Sequence, residues 1–183
     1  LLDHIAKPDI VAPGNQIVSL EVAGSKIATF SNVNKVPLNY YQNTTSTTSS
    51  TVYYKLSGTS MAAPMVAGAA ATMLQHDPSA TPDTIKARIM KTATKAFPSY
   101  STITTDGVTY NLQYDVFTVG AGYLDLWAAL NSIDVAGGVG TAASPTVIRN
   151  PNTGKLSLSN TTQNAVWGDN TVFGGSAVWG ANI

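Results

Sequence analysis

The chain has 183 residues, enough for one domain with a sizeable core, and it is 44% hydrophobic against 11% charged with a formal net charge of +0. A composition this rich in apolar residues excludes a disordered chain, and it offers no basic patch for nucleic acid. The lack of cysteine excludes disulfides and thiolate sites, and no apolar run of about 18 residues marks a transmembrane helix.

The first residues, Leu1 to Lys7, lack Met and form no signal peptide, so a secretion signal would lie upstream. Lys7-Pro8-Asp9-Ile10-Val11-Ala12-Pro13-Gly14 reads as a short apolar strand ending in a Pro-Gly turn, and Ile17, Val18 and Leu20 return the chain to the core. The polar tract Asn43 to Thr51, between Tyr40-Tyr41 and Val52-Tyr53-Tyr54, reads as a solvated loop or edge hairpin, a tolerated insertion rather than a border of a cleft.

Gly58-Thr59-Ser60-Met61-Ala62-Ala63-Pro64 then opens an Ala/Gly-rich helix. Gly58 permits a backbone shape that a side chain would forbid. Ser60 is placed at the mouth of the helix, where unpaired N–H groups and the positive dipole end converge. A serine there can attack a carbonyl while its own N–H helps hold the developing oxyanion; the plainer alternative is that Ser60 only caps the helix. Pro64 is expected in the first turn, where a missing N–H costs little. The following residues are small and apolar on every side, which predicts a buried helix, with Gly68 allowing close approach of a neighbour.

GTSMAAP with its helix, preceded by KPDIVAPG, resembles the nucleophile segment of the subtilisin-like serine proteases, the subtilases. The resemblance covers about residues 5 to 132. It implies an α/β, three-layer fold with a mostly parallel sheet, present here as a partial domain. It implies Ser60 as the nucleophile of a serine endopeptidase acting on polypeptides, and an extracellular location. Met65 stands where many members have His or Val, which implies only a packing change. Many members also appear shorter between Gly14 and Ser60. The related sedolisins share Gly-Thr-Ser, but the Met-Ala-Ala-Pro continuation and KPDIVAPG fit subtilases better.

Downstream, Asp77-Pro78 stops the helix. Thr81 is the N-cap of the next one, with Pro82 at its first position and Asp83 in its first turn. Ile85, Ile89 and Ala93 give its inner stripe, while most of Lys86, Arg88, Lys91 and Lys95 should face water, Lys91 and Lys95 near the C-terminal dipole end. Asp106-Gly107 signals a hairpin with Val108, Tyr110 and Leu112 alternating. Gly120-Ala121-Gly122-Tyr123-Leu124-Asp125 leads into a last helix, Leu126 to about Ile133, with Asp125 as its cap; subtilases often close with a similar turn and helix.

The expected division is 1–133, the C-terminal part of a catalytic domain, and 134–183, an extension rich in Gly, Ser and Asn. A linker is expected over 136–144, and short strands at Val147-Ile148 and Lys155 to Leu158 flank the Asn152-Thr153-Gly154 turn. In the tail, Val166-Trp167-Gly168, Val172-Phe173-Gly174 and Val178-Trp179-Gly180 recur every six residues, a β or irregular repeat. Three short copies need a partner surface. They suit cell-surface or self-association through 165–183, or docking on their own domain.

Acyl transfer also needs a base, a group that orients it and a second oxyanion donor. In subtilases the order is Asp, His, Ser. His4 has the wrong neighbours, and His76 lies at the far end of the nucleophile helix. Asn15, Asn32 and Asn34 sit in the wrong segments for the family's oxyanion Asn. The resemblance therefore implies that the triad Asp and His, the oxyanion Asn and most of the substrate-binding strands lie outside these residues, so that the isolated chain is feeble. No cofactor is expected here, though the complete domain of the family leaves room for calcium. A rival from another class is a non-catalytic surface protein that keeps the scaffold and works through its aromatic tail.

Overall fold

The computed structural model describes residues 4–30, 32–98, 100–114, 116–136, 142–154 and 156–158. The hexapeptide repeat lies outside them. The described residues cluster into two compact units, Ala12–Ala67 and the combination of Leu1–Val11 with Gly68–Ile183.

The Ala12–Ala67 unit is built on a three-stranded antiparallel sheet. Strand β1 is Ile17–Leu20; helix α1, Lys26–Phe30, follows, then β2, Lys35–Pro37, and β3, Ser49–Leu56. The order is β1-β3-β2, with Ile17 opposite Leu56 and Leu20 opposite Tyr53. β3 is central because Val52, Tyr53 and Tyr54 supply the β-branched and aromatic side chains that a pleated surface favours. The β2–β3 register shifts between Lys35 and Pro37. Ser50, fully buried, meets that irregularity: its hydroxyl accepts from the N–H groups of Val52 and Tyr53 at 2.9 Å each and from the Tyr41 hydroxyl at 2.8 Å. Tyr41 and Tyr53 pack edge to face, centroids 4.8 Å apart. β1 does not return to the core as expected. Val18 and Leu20 stay exposed, because β1 has a partner strand on one edge but little covering its faces.

Helix α2, Thr59–His76, runs from this unit into the other. It ends where Asp77-Pro78 predicts, but it is not the buried helix its composition suggests. Ala69 and Met73, one turn apart on a single face, are buried, while Met65 and Leu74 are open. Apolar residues on all sides require cover on all sides, and among the described residues that cover exists on one side. Nor does any described residue approach Gly68 closely, since none beyond its own helix backbone lies within 4 Å of the position its Cβ would take.

In the other unit, α3, Pro82–Thr92, has Thr81 as N-cap, its hydroxyl accepting from Thr84 N–H at 3.1 Å. Ile85, Ile89 and Ala93 are buried as the stripe predicts, joined by Ala87 and Met90. Strands β4, Tyr100–Thr105, and β5, Val108–Gln113, form the hairpin around Asp106-Gly107. α4, Val116–Val119, and α5, Leu126–Leu130, follow, α5 capped by Asp125, which accepts from Ala128 N–H at 2.9 Å. β6, Val147–Arg149, and β7, Leu156–Leu158, pair around the Asn152-Thr153-Gly154 turn.

The mixed helices and strands agree with the expected α/β class, but the strand ladders described are antiparallel. Lys7 to Gly14 forms no ladder. Among the described residues parallel pairing is confined to one bridge, Val11 with Tyr123, held by Val11 N–H to Gly122 O and Leu124 N–H to Val11 O, both 2.9 Å. Parallel strands need long crossovers and cover on both faces. Here the other edge of Tyr123 is taken by Thr94 in an antiparallel bridge.

Lys91, exposed in the last turn of α3, and Lys95, at its C-terminal end, sit near the dipole end as expected, but Arg88 does not face water. Arg88 is 8% exposed: its Nε donates to Asp134 O at 2.7 Å and its Nη1 to Asp77 Oδ2 at 3.2 Å. Lys91 binds Asp134 Oδ1 at 2.6 Å. That contact, more than any other, holds the Asp134 carboxyl below the usual carboxylate range. Lys95 caps the C-terminal end of α3, donating to Met90 O at 3.1 Å and Ala93 O at 2.6 Å. Burial lowers its ammonium pKa to about 8. The 136–144 stretch is no free linker where it is described. Ala142 is buried and donates to Asp83 Oδ1 at 3.1 Å, and Ser144 binds Asp9, Lys7 and Lys86. Burial pushes the Asp9 carboxyl up, but Lys7, Ser144 and Lys86 together outweigh it and hold that carboxyl low.

Candidate active site

The Ala12–Ala67 unit positions Ser60 through a backbone bracket. Gly58 N–H donates to Gly14 O at 2.8 Å, and Gly58 O accepts from the N–H groups of Met61 and Ala62. Gly58 has φ +153°, a region that strains any other residue. Gly14 answers a different need. A Cβ there would lie 2.7 Å from Gly58 O, so the two loops approach too closely for a side chain. Ser57 completes the bracket, its hydroxyl donating to Asn15 Oδ1 at 2.9 Å and accepting from Gln16 N–H at 2.8 Å. Asn15, in the wrong segment for an oxyanion donor, is thus a loop tie.

Gly14→Ala is expected to open this bracket and cost on the order of 2 kcal/mol through the forced backbone shift. Chemical denaturation of the variant checks this; an unchanged midpoint and slope would show the bracket to be slack.

Ser60 is the second residue of α2 and is exposed. Its N–H belongs to the first turn, ahead of the intrahelical ladder, where the dipole's positive end lies. Pro64 is the sixth helical residue and not in the first turn. Having no N–H, it leaves the Ser60 carbonyl without the donor that a regular helix would supply four residues on. Ser60 also lines a cavity of about 450 Å³, with Ile17, Leu20, Tyr54 and Leu56 from the sheet side and Met61 beside it. The arrangement exposes one hydroxyl, next to helix-end donors, on the rim of a mostly apolar hollow.

The two histidines sit apart from Ser60 along the chain. His76 ends the same helix that Ser60 begins. His4 is exposed at φ +55°, its carbonyl accepting from Val147 N–H at 2.6 Å. Asn34 Nδ2 donates to the Tyr54 hydroxyl at 3.3 Å, a packing role. Among the described residues, no group of three or more His, Asp or Glu side chains is placed to hold a metal ion. No helix among them is long and apolar enough to cross a membrane.

The Peptidase_S8 model, described as the subtilase family, matches residues 2–122. The chain belongs to the subtilase family. It is 40% identical over 80 residues to serine protease AprX of Bacillus subtilis (strain 168), an alignment covering 44% of this chain and 15% of that protein. It is 33% identical over 122 residues to subtilisin-like protease SBT3.1 of Arabidopsis thaliana, covering 67% and 13%. To SBT1.9 of the same plant it is 39% identical over 90 residues, covering 49% and 10%. The chain thus spans less than a sixth of the length of these relatives, which are serine or subtilisin-like proteases by name.

Sequence reasoning missed the Gly14–Gly58 approach, the Asn15–Ser57 tie and Glu21, which is 3.1 Å from Lys35 and lines the cavity. A signal for Glu21 was present: it is the single acid between Asp9 and Asp77. In so charge-poor a stretch a lone acid needs a partner.

Proposed function

We propose that the complete protein is a secreted subtilisin-type serine endopeptidase in which Ser60 is the nucleophile. The observation that carries this is the exposed Ser60 hydroxyl at the first turn of α2, on the rim of a cavity, in a subtilase-family chain. Ser60 Oγ attacks the peptide carbonyl, its proton passing to a base, and the Ser60 N–H donates to the oxyanion that forms. The amine leaves, taking a proton from that base, and water then hydrolyses the acyl-enzyme. The base, the acid that orients it and a second oxyanion donor come from polypeptide outside these 183 residues, since His4 lacks the sequence setting of the family's catalytic His and His76 ends the helix that Ser60 begins. The same polypeptide covers the open apolar surface of α2 and completes the parallel sheet of the three-layer fold. Residues 1–133 form the catalytic part, and 134–183 an extension.

A fluorophosphonate probe tests the division of labour. The complete protein is expected to label at Ser60 within minutes, and the 183-residue chain to label far more slowly, because its hydroxyl lacks a base. Rapid stoichiometric labelling of the chain alone would overturn the claim that the base lies elsewhere. Labelling of the complete protein at another residue would overturn the role of Ser60.

A further inference from the structure

The stretch 142–147 has the composition of a spacer and the contacts of a core element. Ala142 and Pro145 are buried, and so is Ala6, whose N–H donates to Pro145 O at 2.8 Å. Val147 N–H donates to His4 O at 2.6 Å, and Ile5 bridges Thr146 antiparallel. Pro145 suits the place, because a proline has no N–H to leave unpaired when it is buried. α3 supplies a second hold. Ala142 N–H donates to Asp83 Oδ1, in the first turn of α3, at 3.1 Å. Ser144 Oγ donates to Asp9 Oδ1 and accepts from Lys7 Nζ and Lys86 Nζ at 3.0 Å each, with Lys86 Nζ 3.4 Å from Asp9 Oδ1. One hydroxyl thus ties three segments, 4–9, α3 and the stretch beyond α5.

We propose that residues 142–147 are a strap that fastens the segment 4–9 to α3, so that this part of the fold is complete only once the chain has been carried into its extension. The strap does not depend on the role of Ser60. The segment 4–11 needs such a fastening. Its second half is held by the turn that precedes α5, through Val11 N–H to Gly122 O, Leu124 N–H to Val11 O and Ala121 N–H to Asp9 O at 2.8 Å. Its first half, His4 to Ala6, exchanges its backbone bonds with the strap. Ordering an extended segment costs backbone entropy at every residue. With the first half unfastened, the three bonds of the second half must meet that cost alone, and the whole segment opens more often. Along the chain this segment leads directly to Gly14.

Hydrogen exchange in the complete protein, carrying Ser60→Ala to silence any self-cleavage, tests this. The amides to read are Ala121 and Leu124, because their acceptors, Asp9 O and Val11 O, lie outside the strap. A form ended after Leu158 keeps the strap, loses the aromatic repeats and serves as the reference. A form ended after Ala136 is expected to exchange at least about 10-fold faster at Ala121 and Leu124, while the hairpin Tyr100–Gln113 keeps its rate. If that form loses its circular dichroism, Ser144→Ala in the whole chain reads the same two amides. About 5-fold faster exchange is then expected, from the loss of one hydrogen bond to a charged group. Unchanged rates at Ala121 and Leu124 in the form ended after Ala136, or in Ser144→Ala where that form is unfolded, would show a passive appendage and overturn the proposal. An equal acceleration of the hairpin would show general loosening and overturn it as well.

Discussion

Ser60→Ala in the complete protein is expected to lower kcat/KM for peptide cleavage by roughly 10⁴-fold or more, with substrate affinity little changed. The size follows from what the side chain does. An acyl-enzyme needs an oxygen to carry the acyl group, and alanine has none, so only the binding groups and oxyanion donors remain. Folding should survive, because the hydroxyl is exposed and the Gly14–Gly58 bracket is a backbone feature. Ile103→Ala makes the control. Its side chain is 52% exposed on β4 and does not line the cavity beside Ser60, so cleavage should persist. Casein cleavage by Ser60→Ala at the parent rate would refute the assignment.

The second large effect concerns stability. Arg88→Ala is expected to lower the melting temperature of the chain by roughly 5–10 °C. The guanidinium is nearly buried and ties α3 to the carbonyl of Asp134 and the carboxylate of Asp77. Alanine removes both bonds and the methylene packing, and leaves the Asp134 carbonyl short of a donor. Asp77→Asn should cost much less, because Asp77 faces solvent more than Arg88 does and keeps the Ser79 hydroxyl at 2.7 Å, the contact that chiefly holds its carboxyl below the usual range. Differential scanning calorimetry separates the two, and equal shifts for both variants would show the ion pair, not the burial of Arg88, to be what matters.

Much of the helix punctuation was legible. Thr81-Pro82 opens α3, Asp125 caps α5 and Asp77-Pro78 ends α2, because each signal acts on a backbone group within a few residues. The turns at Asp106-Gly107 and Asn152 to Gly154 were legible for the same reason. Misreadings arose wherever a side chain's fate depended on a distant segment. Arg88 is polar by type, yet Asp134 and Asp77 meet it at the surface of α3 and draw it in. The 136–144 stretch has a linker's composition, yet within it Ala142 and Ser144 find Asp83, Asp9, Lys7 and Lys86. α2 has the composition of a buried helix, yet only the face of Ala69 and Met73 is covered.

By itself the sequence determined which hydroxyl opens α2, where the helices start and stop, and which glycine must bend the chain before Ser60. Those are relations between residues close along the backbone, fixed by φ preferences and first-turn hydrogen bonds. Only the tertiary structure decided that Gly14 lies against Gly58, that Ser60 faces an apolar hollow, and that Glu21 pairs with Lys35. These depend on which distant segments the sheet β1-β3-β2 brings together, and a lone charge carries no mark of the partner that packing will give it.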